Sequence, residues 1–593
     1  MMLPCRDAAG RYRVRSHHTL VSSGRVLSRL LLVSVSGVIL LWHSTLQAQQ
    51  VPPIPPDLDR NFIRGDQQRL LEEQQQRLEE LQNLPGEQAE PPSPEAAEPS
   101  PCIDIAQVKL TGTTLLSVRD ESSLVTPWTG RCLNINDLNE LLGDITEHYV
   151  ARGYVTTRAY LPQQDLNDGG VDVVVLEGRI EALESTTEVP TSRELFMASP
   201  AAEGDVLNLR DLEQLTDQLN RLPSRRSTME LVPGESPGAS RVQINSEGGR
   251  PLRLSLGRNN DGSESTGEQQ WKLGVEWDSP LGLADQFIAQ LGHDVTRQSG
   301  RGSGDSYLSY RVPYGYWAFS WAWTESDYHT VAEADGFDFD LDGASERHRL
   351  QVERMLHRDD VSTTSASLGL SRLSTRNYID GSRIDVSSQR LTELSIGLNH
   401  GRRIGTALVN ADVGWQKGLT IFGADTESDN LPGSPEPQFS KATLTLSYQQ
   451  PFTLANQSLT FSSLAHGQWS DDVLYSPQRL SLGGQSSVRG FKEQTLSGDS
   501  GGYWRNEIHW RHALDVARPV FHSLDTWLAY DVGVIHHGDH NPELHGRMSG
   551  AAIGLGLTGD HLAASVSFGR SIDRPDAIEE TETPVYFNVE VFL

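Results

Sequence analysis

The sequence predicts a transmembrane β-barrel of about 16 antiparallel strands, preceded by two small α/β domains and a polar helix. Three observations support this fold class. Residues 251–593 alternate apolar with small or polar side chains at a period of two. These segments are about ten residues long, which is the length of a membrane-crossing strand. The first 48 residues have the composition of an export signal.

The N-terminal segment comes first in the chain. Several arginines precede an apolar run over residues 30–42, and small or polar residues follow up to Ala48. This pattern predicts a signal peptide over residues 1–48. The alternative is an N-terminal membrane anchor, although the run is shorter than the roughly 20 residues of a helical bilayer span.

Charge and hydropathy limit the classes of protein to which the chain could belong. The 593 residues carry a net charge of −29 with a pI near 5.0 and a mean hydropathy of −0.43. The predicted signal peptide holds six arginines and one aspartate, so the mature chain is near −34. A chain this acidic repels phosphate backbones, and we expect no nucleic-acid partner. Because no later stretch has the pattern of a transmembrane helix, a membrane location requires β-strands.

Two cysteines remain outside the signal peptide, Cys102 and Cys132. An even pair in an oxidising compartment predicts a disulfide. Closing a loop of about 30 residues would contribute roughly 3–4 kcal/mol in the chain-entropy model. Two free buried thiols are the alternative.

Residues 49–101 lack the pattern of a packed domain. Prolines open this segment and close it, and residues 85–101 predict a Pro-rich linker. Residues 66–84 between them are rich in helix formers and polar nearly all round. The segment 49–84 therefore predicts a helix that can lie inside a water-filled lumen, or else a solvated or coiled-coil helix.

Two α/β units follow, over residues 102–178 and 179–248, and neither shows catalytic groups. In the first unit we predict strands over 103–110, 155–161 and 171–176, and a helix over 135–152 that Gly153 ends. In the second unit we predict strands over 180–183, 228–232 and 241–244, and a helix over 209–222.

The last part, residues 250–593, has the pattern of barrel strands. Trp317, Phe319, Trp321 and Trp323 alternate with small or polar residues, as do the apolar positions of residues 442–448. The period alone also fits a soluble β-sandwich. Segment length, turn signals and aromatic residues near segment ends favour the barrel. We count about 16 segments, about 11 before residue 480 and five after it, an even number as bacterial barrels require.

The sequence shows no enzyme motif. His536 and His537 have no third ligand at zinc spacing. Glycines such as Gly554 and Gly556 fall within strands, where they mark close approach rather than phosphate binding. We therefore expect no catalysis, no metal, no cofactor and no nucleotide.

A series of motifs, in order along the chain, resembles one family. The motifs are RGYVTTRAYLP at 152–162, LEGRIE at 176–181, LNRLP at 219–223, ELVPG at 230–234, GAS at 238–240, LGG at 482–484, VRGF at 488–491 and RNEI at 505–508. The first two resemble the first POTRA domain of the haemolysin-activator and haemagglutinin-transporter family, and the next three resemble its second POTRA domain. The last three resemble the barrel of this family.

The resemblance implies the outer-membrane half of a two-partner, type V secretion system. Such a transporter has a 16-stranded barrel, a plug helix in the lumen, two periplasmic POTRA domains and a long loop folded back into the pore, about residues 470–501 here. Its implied partners are outer-membrane lipid, the barrel-assembly machinery that inserts it, and a large exoprotein with an N-terminal secretion domain. That client is usually a β-helical haemolysin or adhesin, and activation of the client is left open. The alternatives are a barrel-assembly factor of the same superfamily, a passive porin and a soluble adhesin.

The resemblance also assigns roles to residues of the pore loop. In the family, the arginine of the Val488-Arg489-Gly490-Phe491 motif meets an aspartate on the barrel wall, within an aromatic-x-Asp-x-Gly pattern. Bidentate pairing suits this role, Gly490 allows a tight turn, and Phe491 is expected to pack on the wall. Without the family, the loop would read as a surface loop with an exposed ion pair worth about 0–1 kcal/mol.

The aspartate falls in residues 527–533 (WLAYDVG). Leu528, Tyr530 and Val532 form the apolar face here, which leaves Asp531 and Gly533 on the face toward the lumen. The aromatic of the pattern matches Ala529, Trp527 or Tyr530, a small departure from the family.

Two further features concern the preceding strand and the chain end. Glu507 shares a face with Arg505 and is a second candidate partner of Arg489; Asn506 completes the barrel motif between them. Phe592 is penultimate, whereas assembly signals of such barrels commonly end in an aromatic residue.

Overall fold

The computed structural model describes residues 59–86, 101–295, 300–334, 336–426, 433–514, 520–536, 545–576, 578 and 580–593. The predicted signal peptide, residues 49–58 of the predicted plug segment and most of the predicted linker lie outside these residues. Within the described ranges, no helix is both long enough and apolar enough to cross a membrane.

A long helix, α1 (Arg60–Gln82), forms where helix formers dominate the sequence. Its 23 residues give a length of about 34 Å. The helix begins earlier than the sequence pattern predicts, because Phe62 packs with Leu373, Phe439 and other apolar side chains. Leu81 and Leu84 are buried at the other end against Leu408. Most of the length between these two apolar contacts is polar.

The first α/β unit, called POTRA1 below, builds a three-stranded sheet with two helices. Its elements are β1 (Ile103–Ile105), β2 (Gln107–Thr111), α2 (Val118–Val125), β3 (Arg131–Leu133), α3 (Ile135–Val150), β4 (Arg158–Tyr160) and β5 (Gly170–Leu176). The sheet order is β2-β5-β4, with β2 and β5 parallel. Buried residues of α3, such as Leu141 and Ile145, pack on Val173 of the central strand. Cys102 and Cys132 form a disulfide beside the β1–β3 pair.

The second unit, POTRA2, repeats this plan. Its elements are β6 (Arg179–Ser185), α4 (Ser192–Ala198), α5 (Leu209–Asn220), β7 (Arg225–Pro233) and β8 (Ala239–Gly248). The sheet order is β6-β8-β7, with β6 and β8 parallel. Leu212, Leu215 and Leu219 recur on one face of α5 and are fully buried in the POTRA2 core.

The rest of the chain closes into an antiparallel barrel. Its strands are β9 (Leu252–Asn259), β10 (Gln270–Asp278), β11 (Gln286–Asp294), β12 (Gly302–Tyr314), β13 (Trp317–Ala334), β14 (Phe337–Arg358), β15 (Ser362–Ile379), the short β16 (Ser382–Arg383), β17 (Arg390–Ile404), β18 (Ala407–Leu419), β19 (Ser440–Leu454), β20 (Gln457–Trp469), the loop strands β21 (Leu480–Leu482) and β22 (Leu496–Gly498), β23 (Gly501–Ala513), β24 (Ser523–Ile535), β25 (Gly546–Thr558), β26 (Leu562–Asp573) and β27 (Val585–Phe592). Leaving out β16, β21 and β22, sixteen strands of the described chain form the wall, and β27 pairs with β9 to close it.

The alternation of side chains separates an outer from an inner surface. Phe319, Leu446 and Phe568 are 43%, 44% and 52% exposed, although they are large and apolar. An apolar surface of this kind around a closed barrel suits contact with lipid. Phe592 lies in β27 and Leu593 hydrogen-bonds Leu254, so the chain end completes the seam with β9.

POTRA2 rests on the turns at one end of the barrel, called the POTRA end below. Arg210 of α5 forms an ion pair of 2.8 Å with Asp360, after β14. The Gln218 amide donates to the carbonyl of Gly315, between β12 and β13, at 3.3 Å. Asp278 at the end of β10 accepts the Ser224 backbone N–H at 2.8 Å. POTRA2 therefore contacts three successive turns of the wall.

Candidate functional site

Two structures occupy the barrel lumen, the helix α1 and the loop between β20 and β23. The loop turns back into the barrel, and its strands β21 and β22 pair antiparallel. The residues Val488, Arg489, Gly490 and Phe491 lie at the tip between these strands, and all are buried. The site is the contact between this tip and the wall.

Arg489 is held by Asp531 of β24 through three hydrogen bonds. Its Nε and one terminal nitrogen each donate to a different Asp531 oxygen at 2.7 Å, and its backbone N–H donates at 3.0 Å. Asp531 is fully buried and the Arg489 side chain is 6% exposed. Because a buried carboxylate without a cation is costly, each partner requires the other.

Glu507 also binds the loop arginine. The remaining terminal nitrogen of Arg489 donates to Glu507 of β23 at 2.7 Å, so one guanidinium bridges two neighbouring strands. Arg505 donates to the same Glu507 oxygen and to the loop carbonyl of Ser486, both at 3.0 Å. The site is therefore a network of two cations and two carboxylates rather than one pair.

The network continues toward the POTRA end through His509. One ring nitrogen of His509 lies 2.8 Å from Glu507 Oε2 and the other lies 3.0 Å from Asp525 Oδ2. A neutral imidazole can donate from one nitrogen only, whereas both nitrogens here face carboxylates. The geometry therefore matches a protonated ring.

Trp527 supplies the aromatic neighbour of this site. The Arg489 guanidinium carbon lies 5.2 Å from the centre of the Trp527 ring, within cation–π range. Of the three residues that could match the aromatic position of the pattern, Trp527 is the aromatic one that shares the lumen face with Asp531. Gly554 faces this ring so closely that a side chain at residue 554 would overlap it.

Glycines on three adjacent strands form the floor under the loop tip. A Cβ on Gly533 would lie 2.8 Å from Leu482 and 3.0 Å from Val488, and one on Gly569 would lie 3.0 Å from the Gly490 nitrogen. A Cβ on Gly550, between them on β25, would overlap the Arg489 carbonyl. Gly490 itself has φ near +121°, which favours glycine. Loop backbone and wall backbone are therefore in direct contact.

The flanks of the tip are fixed by apolar packing and by one carboxylate. Val488 and Phe491 are fully buried in a cluster with Leu482, Tyr503 and Met548. Beyond Phe491, the Glu582 carboxylate accepts the backbone N–H groups of residues 492, 493 and 494, at 2.6, 3.0 and 2.6 Å. Glu582 lies in the turn between β26 and β27, so the wall holds the loop from both sides.

The helix α1 occupies the other part of the lumen and also contacts the loop. Gln67 donates to the Ser481 carbonyl at 2.6 Å, and Arg60 pairs with Glu493 at 3.5 Å. At the opposite end, Glu80 pairs at 2.6 Å with Arg221 at the end of α5. The helix therefore links the loop, through the lumen, to POTRA2.

The middle of α1 is bound to the wall by polar contacts. The Gln74 amide donates to Asp412 at 2.7 Å and accepts from Asn410 at 3.0 Å and from Ser447 at 2.7 Å. Arg77 pairs with Glu353 at 2.8 Å. These partners lie on β14, β18 and β19, away from β23 to β26, which hold the loop tip. The middle of α1 and the loop tip thus use separate arcs of the wall.

Helix and loop leave part of the lumen unfilled. A cavity of about 510 Å³ lies between them and the wall, and Arg64, Lys272, Glu507 and Glu590 are among the side chains that line it. Across the described residues, no group of three or more His, Cys, Asp or Glu side chains is arranged to hold a metal ion.

Glu177 of the LEGRIE motif acts within POTRA1 rather than in the lumen. Its carboxylate accepts the Thr114 and Leu115 backbone N–H groups at 2.7 and 3.0 Å and the Tyr149 hydroxyl at 2.9 Å. Burial alone would raise the pKa of Glu177, but these hydrogen bonds hold it below its ordinary value. The motif therefore stabilises the end of POTRA1 next to POTRA2.

The remaining residues named from the sequence fall in different places. Asn506 points away from the lumen and bonds Ser463 and the Tyr530 carbonyl on the outer surface, at 3.0 and 3.3 Å. Cys102 and Cys132 are joined in POTRA1, far along the chain from the loop. The glycine floor, Glu582 and His509 were not identified as site residues from the sequence. Alternation could have indicated His509, which shares a face with Glu507.

Comparisons with known proteins agree with this architecture. The family described as haemolysin secretion/activation protein ShlB/FhaC/HecB matches residues 238–557. A POTRA domain of ShlB type matches residues 103–178, and a further POTRA domain matches residues 179–233. The predicted fold class, a 16-stranded barrel with two POTRA domains and an N-terminal helix, is confirmed.

Similar proteins cover most of the chain. The outer membrane transporter CdiB of Dickeya dadantii (strain 3937) is 33% identical over 489 residues, 82% of this chain and 86% of that protein. The hemolysin transporter protein ShlB of Serratia marcescens is 30% identical over 457 residues, 77% and 79% of the two chains. The solved structure of CdiB from Escherichia coli has a TM-score of 0.86 at 32% identity and covers 91% of this chain and 99% of that one. This chain belongs to the ShlB/FhaC/HecB family of haemolysin secretion/activation proteins, and is an outer-membrane transporter of two-partner secretion with its POTRA domains in the periplasm.

Proposed function

We propose that the chain exports one large exoprotein of β-helical type, a haemolysin or adhesin, which POTRA1 and POTRA2 receive through its N-terminal secretion domain. The exoprotein crosses the barrel unfolded, after α1 has left the lumen. The loop stays docked on the glycine floor, held by Arg489, Asp531 and Glu507. Outer-membrane lipid surrounds the barrel, and the barrel-assembly machinery inserts it.

The observation that supports this proposal is the polar character of the contacts between α1 and the barrel wall. Gln74 and Arg77 bind the wall through hydrogen bonds and one ion pair, and the buried apolar clusters that include α1 lie at its two ends. Water can replace polar contacts when a helix moves out, so their net contribution is modest, about 0.5–1.5 kcal/mol for each hydrogen bond. Contacts of this kind suit a plug helix that can leave the lumen.

The dimensions of α1 suit the passage of one extended chain. A helix with its side chains is about 10–12 Å across. An extended strand needs about 5 Å in one direction and about 10 Å in the other. The space that α1 vacates is therefore sufficient for an unfolded segment beside the docked loop. This width supports threading of an unfolded client rather than passage of a folded one.

A crosslink between helix and wall tests the proposal. Gln74→Cys and Ser447→Cys place two thiols where Gln74 and Ser447 now form a hydrogen bond. The transporter is produced together with a candidate exoprotein, a large secreted protein that carries an N-terminal secretion domain and comes from the same genome, in a host without other two-partner transporters. We expect the crosslinked double variant to retain the exoprotein, while each single variant releases it to the medium. Export by a fully crosslinked population would contradict the plug mechanism.

The same cells separate export from a role in barrel assembly. If the chain were an assembly factor, its loss would lower the amounts of other outer-membrane barrels. We expect those amounts to stay constant while the exoprotein disappears from the medium. A general fall in barrel proteins with unchanged exoprotein release would favour the assembly role.

A further inference from the structure

The short helix α4 of POTRA2 exposes an aromatic side chain at the edge of the barrel. Leu195 and Ala198 face the POTRA2 core, whereas Phe196 is 66% exposed. Arg193, one turn earlier, is exposed on the same face. A single exposed aromatic residue is ordinary on a protein surface, so what matters is the surface that Phe196 adjoins.

The neighbour of Phe196 belongs to the lipid-facing surface of the barrel. Its ring centre lies 6.4 Å from that of Tyr314, the last residue of β12. Tyr314 pairs with Trp317 of β13, and both follow the outward alternation. They are 52% and 37% exposed. Phe196 therefore continues an outward-facing aromatic group from the wall onto the POTRA domain.

These aromatic residues mark the level of the membrane boundary. Trp317 stacks with Phe319 at 6.5 Å, and Arg354 lies 4.8 Å from the Trp317 ring centre. Aromatic rings flanked by cations gather where hydrocarbon meets headgroups. Leu281, in the neighbouring turn between β10 and β11, is 59% exposed. This part of the POTRA end thus has the composition of a bilayer interface.

Helix α4 is fixed in this position by bonds to the barrel. The Gly315 backbone N–H donates to the Met197 carbonyl at 2.8 Å. Glu194, one residue before the buried Leu195, accepts from Ser279 of the β10–β11 turn and forms an ion pair of 2.6 Å with Arg225. Because both sides of α4 are held, Phe196 stays at the boundary rather than turning into the periplasm.

We propose that α4 anchors POTRA2 to the periplasmic leaflet of the outer membrane. Phe196 enters the interface beside Tyr314, and the Arg193 guanidinium binds lipid phosphate. Arg193 has no ion-pair partner in the described part of the chain, whereas a phosphate would match its charge. The ligand is an anionic phospholipid, and the contact sets the orientation of POTRA2 against the membrane plane.

Lipid-specific quenching tests the anchor. The only cysteines of the chain are Cys5 and the disulfide pair. A full-length Phe196→Cys variant, with Cys5→Ser, therefore accepts one environment-sensitive fluorophore. The protein is reconstituted into phosphatidylethanolamine vesicles with and without phosphatidylglycerol, and the lipids carry a nitroxide near the headgroup. We expect the label at residue 196 to be quenched several-fold more strongly than a matched label at Val118→Cys, which is 83% exposed on POTRA1.

A charge variant tests the second half of the proposal. Arg193→Glu in the labelled protein should reduce quenching in vesicles that contain phosphatidylglycerol and change it little in vesicles that lack it. Equal quenching of the labels at 196 and 118 would overturn the anchor. Lipid quenching that depends neither on phosphatidylglycerol nor on the residue at position 193 would overturn the phosphate contact. Neither readout depends on export of an exoprotein.

Discussion

Gly550 of β25 lies directly under the carbonyl of Arg489, so close that a Cβ on this glycine would overlap the carbonyl oxygen. Gly550→Ala should therefore displace the loop tip, at a cost of about 1–3 kcal/mol for overpacking. We expect lower export of the exoprotein with a normal amount of barrel in the membrane. Gly556→Ala on the same strand face is the control, because its Cβ would meet Asp525 only at 3.9 Å. Equal export by both variants would contradict a role for the floor.

The charge network predicts that lysine cannot replace Arg489. A lysine carries one ammonium group and cannot bind Asp531 in bidentate fashion while reaching Glu507. Arg489→Ala leaves the buried Asp531 without the cation that pairs with it, a loss of about 3–5 kcal/mol in loop docking. We expect export to fall strongly in both variants, as measured by immunoblot of the medium. Arg511→Ala, on the same face of β23 and more exposed, should export normally.

Removing one buried partner of an ion pair differs from removing both. In the Arg489→Ala background, Asp531→Asn should restore part of the loop docking, because one uncompensated charge disappears. Protease sensitivity of residues 480–498 in purified protein measures docking directly. Strictly additive losses in the double variant would argue against coupling between Arg489 and Asp531.

The contacts between α1 and the barrel wall predict a change in ion conductance. Gln74→Leu removes the bonds to Asn410, Asp412 and Ser447 and leaves buried polar groups without their partner. We expect α1 to leave the lumen more often, seen as more frequent large openings in planar bilayers. Gln75→Leu is the control, because Gln75 is exposed and bonds only Glu79 of its own helix in the described contacts. Identical conductance traces for both variants would contradict a role of Gln74 in holding α1 in the lumen.

Glu177 predicts a pH dependence of POTRA1 stability. Its pKa is lower in the folded domain than the ordinary value of 4.5, so its stabilising contribution is present above that value. The contribution is lost as the pH falls through the folded pKa. Glu177→Gln should lower stability at pH 7 by on the order of 1 kcal/mol and remove this acid-induced loss. Hydrogen exchange of POTRA1 peptides in urea measures both effects, with the exposed Glu140→Gln as the unaffected control.

The two-residue alternation of the sequence predicted most of the barrel. Alternation predicted sixteen segments, and it turned Asp531 inward while Tyr530 faces outward, because a strand fixes side-chain direction at each step. The alternation did not predict the three glycines under the loop tip. The strand pattern does not distinguish Gly550 from Gly556. The role of Gly550 depends on contact with a loop more than 50 residues away in sequence.

The α/β domains show which local signals are weak. Helix α2 was not predicted, because it is only eight residues long and none of its residues is buried. Helix α4 was missed as well, although Thr191 and Glu194 form a capping box that the sequence could have indicated. The strand predicted over 103–110 is divided at Ala106 into β1 and β2, which join different sheets.

The two arcs of the wall differ in the substitutions that they tolerate. On β24 to β26, the contact between loop backbone and wall backbone restricts replacement, because a side chain added at Gly533, Gly550 or Gly569 displaces the loop. On β14, β18 and β19, the contacts with α1 have to break if the helix leaves the lumen as we propose, so their strength has an upper as well as a lower limit. Redesign of this pore for another cargo should accordingly begin on the helix arc and leave the glycine arc unchanged.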